Sequence, residues 1–318
     1  MAQKSASVDS LGDLAEAITL NRNVVKLFGE GKYDEALPLA KRVLEIRERN
    51  LEPEDEQIAT AALNLAELYY AKKKLSDSEA LFERVLTIYE KKFGANDRRV
   101  AKVLDRLALV YFNRTNYGAA ESAFKRVLMT IENMPGAHTL EVADSLHNLA
   151  EFYRFKGDLK RAEPLFDRAL MIMQQTLPLD SPKTRKLLDH FACAYYQNGQ
   201  PEKVKGLSLK YVPKRDSSDP DSDLAPIGGG VLNGKALNLP RPRYPEEARR
   251  NRLQGVVVVS VTIDETGKVV EAHDLCGTVP LLAQASIESA LKAQFTPTKL
   301  SGQPVKVTGV ITYRFVAQ

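Results

Sequence analysis

Residues 63–70, LNLAELYY, return at three later places: DRLALVYF at residues 105–112, HNLAEFYR at residues 147–154 and DHFACAYY at residues 189–196. Each copy begins 42 residues after the one before it. A fixed step that holds without an insertion is typical of a repeated supersecondary unit. A less regular copy over residues 33–44 extends the pattern towards the N-terminus.

Each period contains two runs of apolar residues at helical spacing, separated by a break. In one period, residues 59–69 carry the first apolar stripe and residues 81–89 carry the second, which predicts a pair of helices. Small residues recur at one position of each helix, where we expect the two axes to approach closely. These positions hold Ala66, Ala108, Ala150 and Ala192 on the first helices and Ala36, Ser78, Ala120 and Ala162 on the second helices. One pair cannot bury both stripes, so the pairs are predicted to stack into an α-helical solenoid.

This pattern resembles the tetratricopeptide repeat, in the 42-residue variant found in kinesin light chains. The resemblance covers residues 18–212 and implies a superhelix of about four to five helix pairs whose first helices line a peptide-binding groove. Residues 1–13 are small and polar and show no apolar core of a secretory signal, and we interpret residues 1–17 as a disordered lead-in.

Composition fits an ordinary soluble protein with two or three domains. The 318 residues are 44% hydrophobic and 27% charged, with a formal net charge of +4, which is too mild to imply nucleic acid. No apolar run approaches the length of a membrane span. Cys193 lies in a repeat helix and Cys276 lies far along in another domain, so we expect two separate free thiols, and the redox compartment stays open.

The pattern changes after the repeats. Residues 213–227 are rich in Asp, Ser and Pro, and they predict a flexible linker that tethers two separate folded parts. Residues 254–263 are almost all β-branched, residues 264–267 form a turn signal, and residues 268–272 read as a return strand. A helix from Pro280 and a final strand over residues 305–316 complete a small α+β domain.

This second part resembles the C-terminal domain of TonB-family proteins over residues 228–318. The motifs that carry the resemblance are GGGVLNGKA at residues 228–236, LPRPRYPEEA at residues 239–248, GVVV at residues 255–258, IDETGKV at residues 263–269, FTPT at residues 295–298 and GQPV at residues 302–305. The resemblance implies a periplasmic setting and the capture of the N-terminal box of outer-membrane transporters as an added strand.

Catalytic or metal chemistry has little support in the sequence. The four histidines show no HxxxH spacing and the cysteines no CxxC spacing, so we expect structural or surface roles for them; they are His138, His147, His190 and His273. The Gly-rich run at residues 228–230 lacks the GK[ST] of a phosphate loop. We therefore expect no enzyme activity, no metal and no cofactor.

Peptide binding by the repeat groove is the preferred hypothesis for the first part. One register of the first helices offers amide, guanidinium or imidazole groups that suit the backbone or a carboxylate of an extended peptide. The predicted groove residues are Asn64, Arg106, Asn148 and His190, with Lys102 and Lys186 beside them. The alternative is an ordinary solvated face.

In the second part, the final strand is predicted to lie at a sheet edge, where a partner segment can pair with it. The predicted partner strand includes Ile311 and Tyr313. A basic cluster with one aromatic is predicted to meet an acidic partner or anionic cell-wall or lipid groups; it comprises Arg241, Arg243, Tyr244, Arg249 and Arg250, with Arg252 next to them. A solvated helix face is the alternative, and nucleic acid is disfavoured because aromatics do not alternate with the bases.

These observations predict a non-catalytic adaptor that binds proteins or extended peptides at two tethered sites. One alternative is a component of TonB-dependent energy transduction, although this sequence shows neither the membrane helix nor the Pro-rich spacer of that system. A second alternative is an enzyme accessory protein. By resemblance we expect the periplasm, with the cytoplasm as the alternative.

Overall fold

The computed structural model describes residues 8–134, 140–178, 181–211, 235–250, 253–276, 279–300 and 302–316. The predicted linker, residues 213–227, and the Gly-rich start of the predicted second domain, residues 228–234, lie outside the described residues. The chain forms two compact units, residues 1–145 and residues 146–318. No helix in the described part of the chain is both long enough and apolar enough to cross a membrane.

The first unit consists of antiparallel helix pairs. Its helices are α1 (Val8–Gly29), α2 (Tyr33–Asn50), α3 (Glu56–Ala71), α4 (Leu75–Phe93), α5 (Arg98–Asn113), α6 (Tyr117–Glu132) and the start of α7 (Leu140–Phe155). The first helices α3 and α5 begin behind caps, since Asp55 accepts from the Gln57 N–H and Asp97 from the Arg99 N–H. The lead-in predicted for residues 1–17 is wrong for residues 8–17, because α1 already begins at Val8 and buries Ala17.

Small residues hold the two helices of a pair close together. The predicted positions on the first and second helices are all between 0% and 1% exposed. Ser78 stands where three other repeats have Ala, and its Oγ donates to the Ala66 carbonyl oxygen at 2.9 Å. A side chain can bond to the backbone of the facing helix only where the axes lie close, so the predicted close approach is confirmed.

A left-handed residue ends the first helix of every pair. Positive φ angles of 73°, 59°, 60°, 71° and 71° occur at Gly31, Lys73, Thr115, Gly157 and Gly199, which follow the 42-residue step. The N–H of Lys73 donates to the Tyr70 carbonyl and that of Lys74 to the Tyr69 carbonyl, which is the Schellman arrangement. Two repeats therefore place a side chain in a conformation that suits glycine.

The second unit contains the end of the array and the α+β domain. Its elements after α7 are α8 (Leu159–Thr176), α9 (Pro182–Gln197), α10 (Glu202–Tyr211), β1 (Ala236–Asn238), α11 (Glu246–Arg250), β2 (Gly255–Ile263), β3 (Val269–Asp274), α12 (Pro280–Ala290), β4 (Gln294–Phe295), β5 (Lys299–Leu300), β6 (Gln303–Pro304) and β7 (Val307–Phe315). The predicted order of helix, strand, strand, helix and strand is confirmed in α11, β2, β3, α12 and β7.

The main sheet has the order β3-β2-β7 and is antiparallel. One face of β2, including Val257, Val259 and Val261, packs with α12 residues such as Leu282 into a buried core. The hairpin turn needs its glycine: Gly267 has φ +87°, and a Cβ there would lie 1.9 Å from the Phe295 carbonyl oxygen. The fold of this part therefore depends on the buried residues of β2 and on one tight turn.

Candidate functional site

The second face of the sheet is covered by repeat helix α9. Cys193 of α9, Val258 of β2 and Cys276 are each between 0% and 1% exposed and form one apolar cluster. The surrounding, partly buried members of that cluster are Tyr196, Val256, Leu275 and Val310. The central strand is thus buried on both faces, by α12 and by α9.

A disulfide joins Cys193 to Cys276, whose Cα atoms lie 5.5 Å apart and whose sequence separation is 83. The prediction of two free thiols is wrong because α9 packs on the sheet and brings the two side chains together. The prediction of a simple tether is wrong for the same reason. The disulfide links the last repeat covalently to the α+β domain. We call Cys193, Cys276 and the apolar cluster around them the junction.

Arg154 links α7 to the junction through hydrogen bonds, and its side chain is only 10% exposed. Its Nε donates to Glu151 Oε1 at 2.7 Å and its Nη2 to Glu151 Oε2 at 2.9 Å. Its Nη1 donates to Gln197 Oε1 at 2.8 Å, and Nη2 also donates to the Cys276 carbonyl oxygen at 3.2 Å. One guanidinium therefore contacts two repeat helices and the disulfide loop.

Two histidines and a carboxylate meet beside this arginine. His147 Nε2 lies 3.0 Å from His190 Nδ1, and His190 Nδ1 lies 2.9 Å from Glu151 Oε2. Burial alone would raise the pKa of Glu151, but hydrogen bonds from His190 and Arg154 outweigh it and hold that pKa at about 2. Burial, reinforced by the His190 ring, lowers the pKa of His147 to about 4. At neutral pH the cluster thus holds an ionised carboxylate and a neutral His147.

The outer edge of β7 exposes backbone groups. The Leu275 N–H donates to the Val258 carbonyl, so the backbone of Val258 faces β3. Backbone groups alternate along a strand, so residues 257 and 259 face β7, where they pair with Tyr313 and Ile311. The intervening residues of β7 direct their N–H and C=O groups outward; these are Thr308, Val310, Thr312 and Arg314. Among the described strands, none pairs with that edge.

Ile311 and Tyr313 were predicted to contact a partner strand. They lie in β7, but they face the core and β2 instead. Their side chains are 5% and 7% exposed and belong to the core under α12. Their backbone groups are directed at β2. A partner strand would therefore contact the residues between them.

The residues of the predicted basic cluster have different surroundings: the first two arginines line a cleft, and the tyrosine packs within the domain. Arg241 and Arg243 are exposed and line a cleft of about 640 Å³ together with Glu288 of α12 and Lys292, which follows that helix. Tyr244 instead packs edge-on against Phe315 and donates its hydroxyl to the Leu253 carbonyl. Arg249 and Arg250 are exposed, and Arg252 lies outside the described residues.

The predicted groove residues are used partly within the array. In the first unit, Asn64 Nδ2 donates to Asn21 Oδ1 at 2.8 Å and Arg106 Nε to Glu67 Oε1 at 2.7 Å. In the second unit, His190 belongs to the histidine cluster and Asn148 is half-buried. Lys102 and Lys186 are exposed. His138 lies outside the described residues, and His273 is exposed on β3.

Solved structures share the repeat fold. The nearly identical TPR-like repeats of a kinesin light chain from Podosopora anserina are 21% identical with a TM-score of 0.54, over 61% of this chain and 92% of that chain. BtubC (BKLC) from P. vanneervenii is 19% identical with a TM-score of 0.53, over 66% and 94%. Aspartyl phosphate phosphatase F from Bacillus subtilis is 17% identical with a TM-score of 0.54, over 64% and 51%. These similarities concern the fold. No curated protein matches the sequence.

Two family profiles match the sequence itself. The profile described as "Tetratricopeptide repeat" matches residues 15–91, 57–131 and 141–205, more than half of the chain. The profile described as "Gram-negative bacterial TonB protein C-terminal" matches residues 240–317. Both modules are typical of protein-interaction adaptors, which are usually non-catalytic. The chain belongs to the tetratricopeptide repeat family and carries a TonB-type C-terminal domain.

Proposed function

We propose that the chain is a periplasmic adaptor that binds an extended segment of a partner protein along the outer edge of β7. The observation that carries this proposal is the nine-residue strand β7, whose outer backbone groups have no partner strand among the described residues. Unpaired N–H and C=O groups on a sheet edge are satisfied when another strand is added.

The packing of the sheet supports this edge as the binding surface. Helices α12 and α9 cover the two faces of β2, so a partner of the sheet has to approach from the side. The opposite edge strand, β3, is shorter at six residues, and its register with β2 shifts between Thr262 and Ile263. A regular partner strand is better accommodated by β7, which pairs with β2 without a shift over all nine residues.

The disulfide and the TonB-type match together support a periplasmic setting. Disulfides persist in oxidising compartments such as the bacterial periplasm and are rare in the cytosol. The TonB-type domain points to the same place and makes the box of an outer-membrane transporter the first partner segment to test.

Exposed lysines of the repeat helices are further candidate contacts for the adaptor. Lys102 in the first unit and Lys186 in the second unit each occupy the predicted groove register of a first helix and are exposed, so each can attract an acidic peptide segment. A partner that engages the edge of β7 and one of these lysines as well gains effective concentration.

Binding is best measured with the full, oxidised chain, because an isolated C-terminal fragment would expose Val256, Val258 and Cys276. The probe is a fluorescent synthetic peptide with the sequence of a transporter box. Thr312→Pro removes one outward N–H from an edge position that tolerates proline, and Thr312→Val is the matched control that retains it. We expect the peptide to bind saturably to wild type and to Thr312→Val. The affinity of Thr312→Pro should be at least tenfold lower, because the variant loses roughly one backbone hydrogen bond and the proline ring obstructs the added strand. Equal affinity of all three variants, or no binding at millimolar peptide, would contradict the proposal.

A further inference from the structure

The histidine cluster in the second unit has the composition and spacing of a metal site. His147 and Glu151 stand four residues apart on α7 and so lie on one helix face, and His190 comes from α9. One nitrogen or oxygen atom of each side chain lies within 4.8 Å of the other two. The side chains of His190 and Glu151 are 18% and 23% exposed, so the cluster is sheltered but reachable from solvent.

Two acceptor atoms in the cluster, His147 Nε2 and Glu151 Oε2, both contact His190 Nδ1. Glu151 is ionised and can only accept, so the hydrogen between it and His190 resides on His190 Nδ1. A hydrogen on His147 Nε2 would then point at that N–H, so Nε2 of His147 presents a lone pair instead. A single hydrogen thus serves a carboxylate oxygen and two ring nitrogens. A cation that takes its place would contact all three atoms, and His190 would then carry its hydrogen on Nε2 instead of Nδ1.

We propose that His147 Nε2, His190 Nδ1 and Glu151 Oε2 form a binding site for a Zn²⁺ ion. Zinc takes imidazole nitrogen and carboxylate oxygen at about 2.0–2.2 Å in tetrahedral geometry, which places ligand atoms about 3.3 Å apart. The separations of 3.0 and 2.9 Å from His190 Nδ1 to the other two atoms lie within a few tenths of an ångström of that value, and all three atoms lie within 4.8 Å of one another. Three protein ligands leave the fourth position for water.

The surroundings orient these ligands. The ring of Phe166 lies 6.1 Å from that of His147, and the rings of the two histidines lie 4.9 Å apart. Arg154 holds both oxygens of Glu151 and also bonds to Gln197 and the Cys276 carbonyl. The positive charge of Arg154 offsets that of the carboxylate, so we expect weaker binding than at a structural site with four ligands. The same arginine connects the ion to the junction, so zinc would stabilise the packing of α7 and α9 beside it.

The site is tested by calorimetric titration of ZnCl₂ into the full, chelator-treated chain. We expect one ion per wild-type chain and a rise in the melting temperature with zinc. His190→Ala and His147→Ala remove ligands, so each is expected to weaken binding by more than the ~10–100-fold typical of outer-shell changes. His273→Ala, an exposed histidine outside the cluster, is the matched control and keeps wild-type affinity.

Site-specific spectroscopy separates this site from zinc held loosely elsewhere on the surface. We expect the imidazole resonances of His147 and His190 to shift together at one equivalent of zinc, while that of His273 stays in place. Glu151→Gln keeps the side-chain shape and is the second variant if an alanine variant fails to fold; it is also expected to weaken binding. No binding by wild type at millimolar zinc, or wild-type affinity in every folded ligand variant, would overturn the site. Both outcomes are independent of peptide binding at β7.

Discussion

Helices α5 and α9 occupy the same place in their repeats but face different surroundings. Their inner stripes are alike, since Leu107 and Ala108 are 1% and 0% exposed and Phe191 and Ala192 are 0% and 1% exposed. The two helices differ in the burial of the residue that follows this alanine. Leu109 is half-buried, whereas Cys193 is fully buried against the sheet and bonded to Cys276. The repeat pattern thus determines the inner stripe, and departures from it show where a helix has gained another partner.

The largest expected effect comes from breaking the bond that only α9 makes. Replacing Cys193 and Cys276 together with Ala is expected to lower the free energy of unfolding by about 4 kcal/mol, since the bond closes a loop of 83 residues. The measurement is denaturant unfolding of the full chain with and without reductant. Wild type should lose stability in reductant and the double variant should not respond. Equal unfolding midpoints for oxidised wild type and the double variant would contradict the role assigned to this bond.

The inner stripes offer a test in which both helices should respond equally. Ala108→Leu in α5 and Ala192→Leu in α9 each force a larger side chain between closely packed axes, at an expected cost of about 1–3 kcal/mol. Thermal unfolding of the two single variants gives the comparison. A tolerated leucine at either position would show that the close approach is not required there.

The sheet face covered by α9 should be more sensitive than an exposed one. Val258→Ala removes two buried methyl groups from the junction and is expected to cost about 2 kcal/mol, including the cavity. Val270→Ala on β3, where the side chain is 44% exposed, is the matched control and should cost less than about 0.5 kcal/mol. If Val258→Ala behaves like Val270→Ala in urea unfolding, α9 does not cover the sheet in solution.

The smallest predicted effect concerns the turns that all repeats share. Thr115 is β-branched and has φ 60°, a conformation that costs an L-residue about 1 kcal/mol relative to glycine. Thr115→Gly is therefore expected to raise stability by roughly that amount, less the added chain entropy of glycine. Gly157→Ala, at the equivalent turn with φ 71°, should lower the stability of the folded chain. Melting temperatures that move in the opposite directions would contradict the shared turn geometry.

Much of the fold could be predicted from the sequence, because the helix pairs and the hairpin depend on local patterns of residues. The 42-residue step fixed the helix pairs and the close-packed small residues, and the turn at Asp264–Gly267 located the hairpin. The shared left-handed turn was missed because Lys73 and Thr115 stand where three repeats have Gly. The start of α1 was missed because residues 8–17 lie before the first recognisable copy of the repeat, so the 42-residue step gave no signal there.

The junction could not be predicted by the same reasoning, because periodicity does not report which surfaces pack together across 83 residues. A signal was nevertheless present in β2, whose residues 256–259 are four consecutive valines. Such a run is typical of a strand buried on both faces. The histidine cluster could not be recognised from spacings within one helix, because His147 and His190 are one repeat period and one residue apart on different helices.

The most direct test of the junction is mass-spectrometric peptide mapping of the chain purified without reductant and alkylated before tryptic digestion. Residues 187–203 and residues 269–292 are the tryptic peptides that contain Cys193 and Cys276. We predict that they are recovered as one cross-linked species that separates on reduction. Recovery of both peptides with alkylated cysteines would contradict the covalent union of the repeat array and the TonB-type domain.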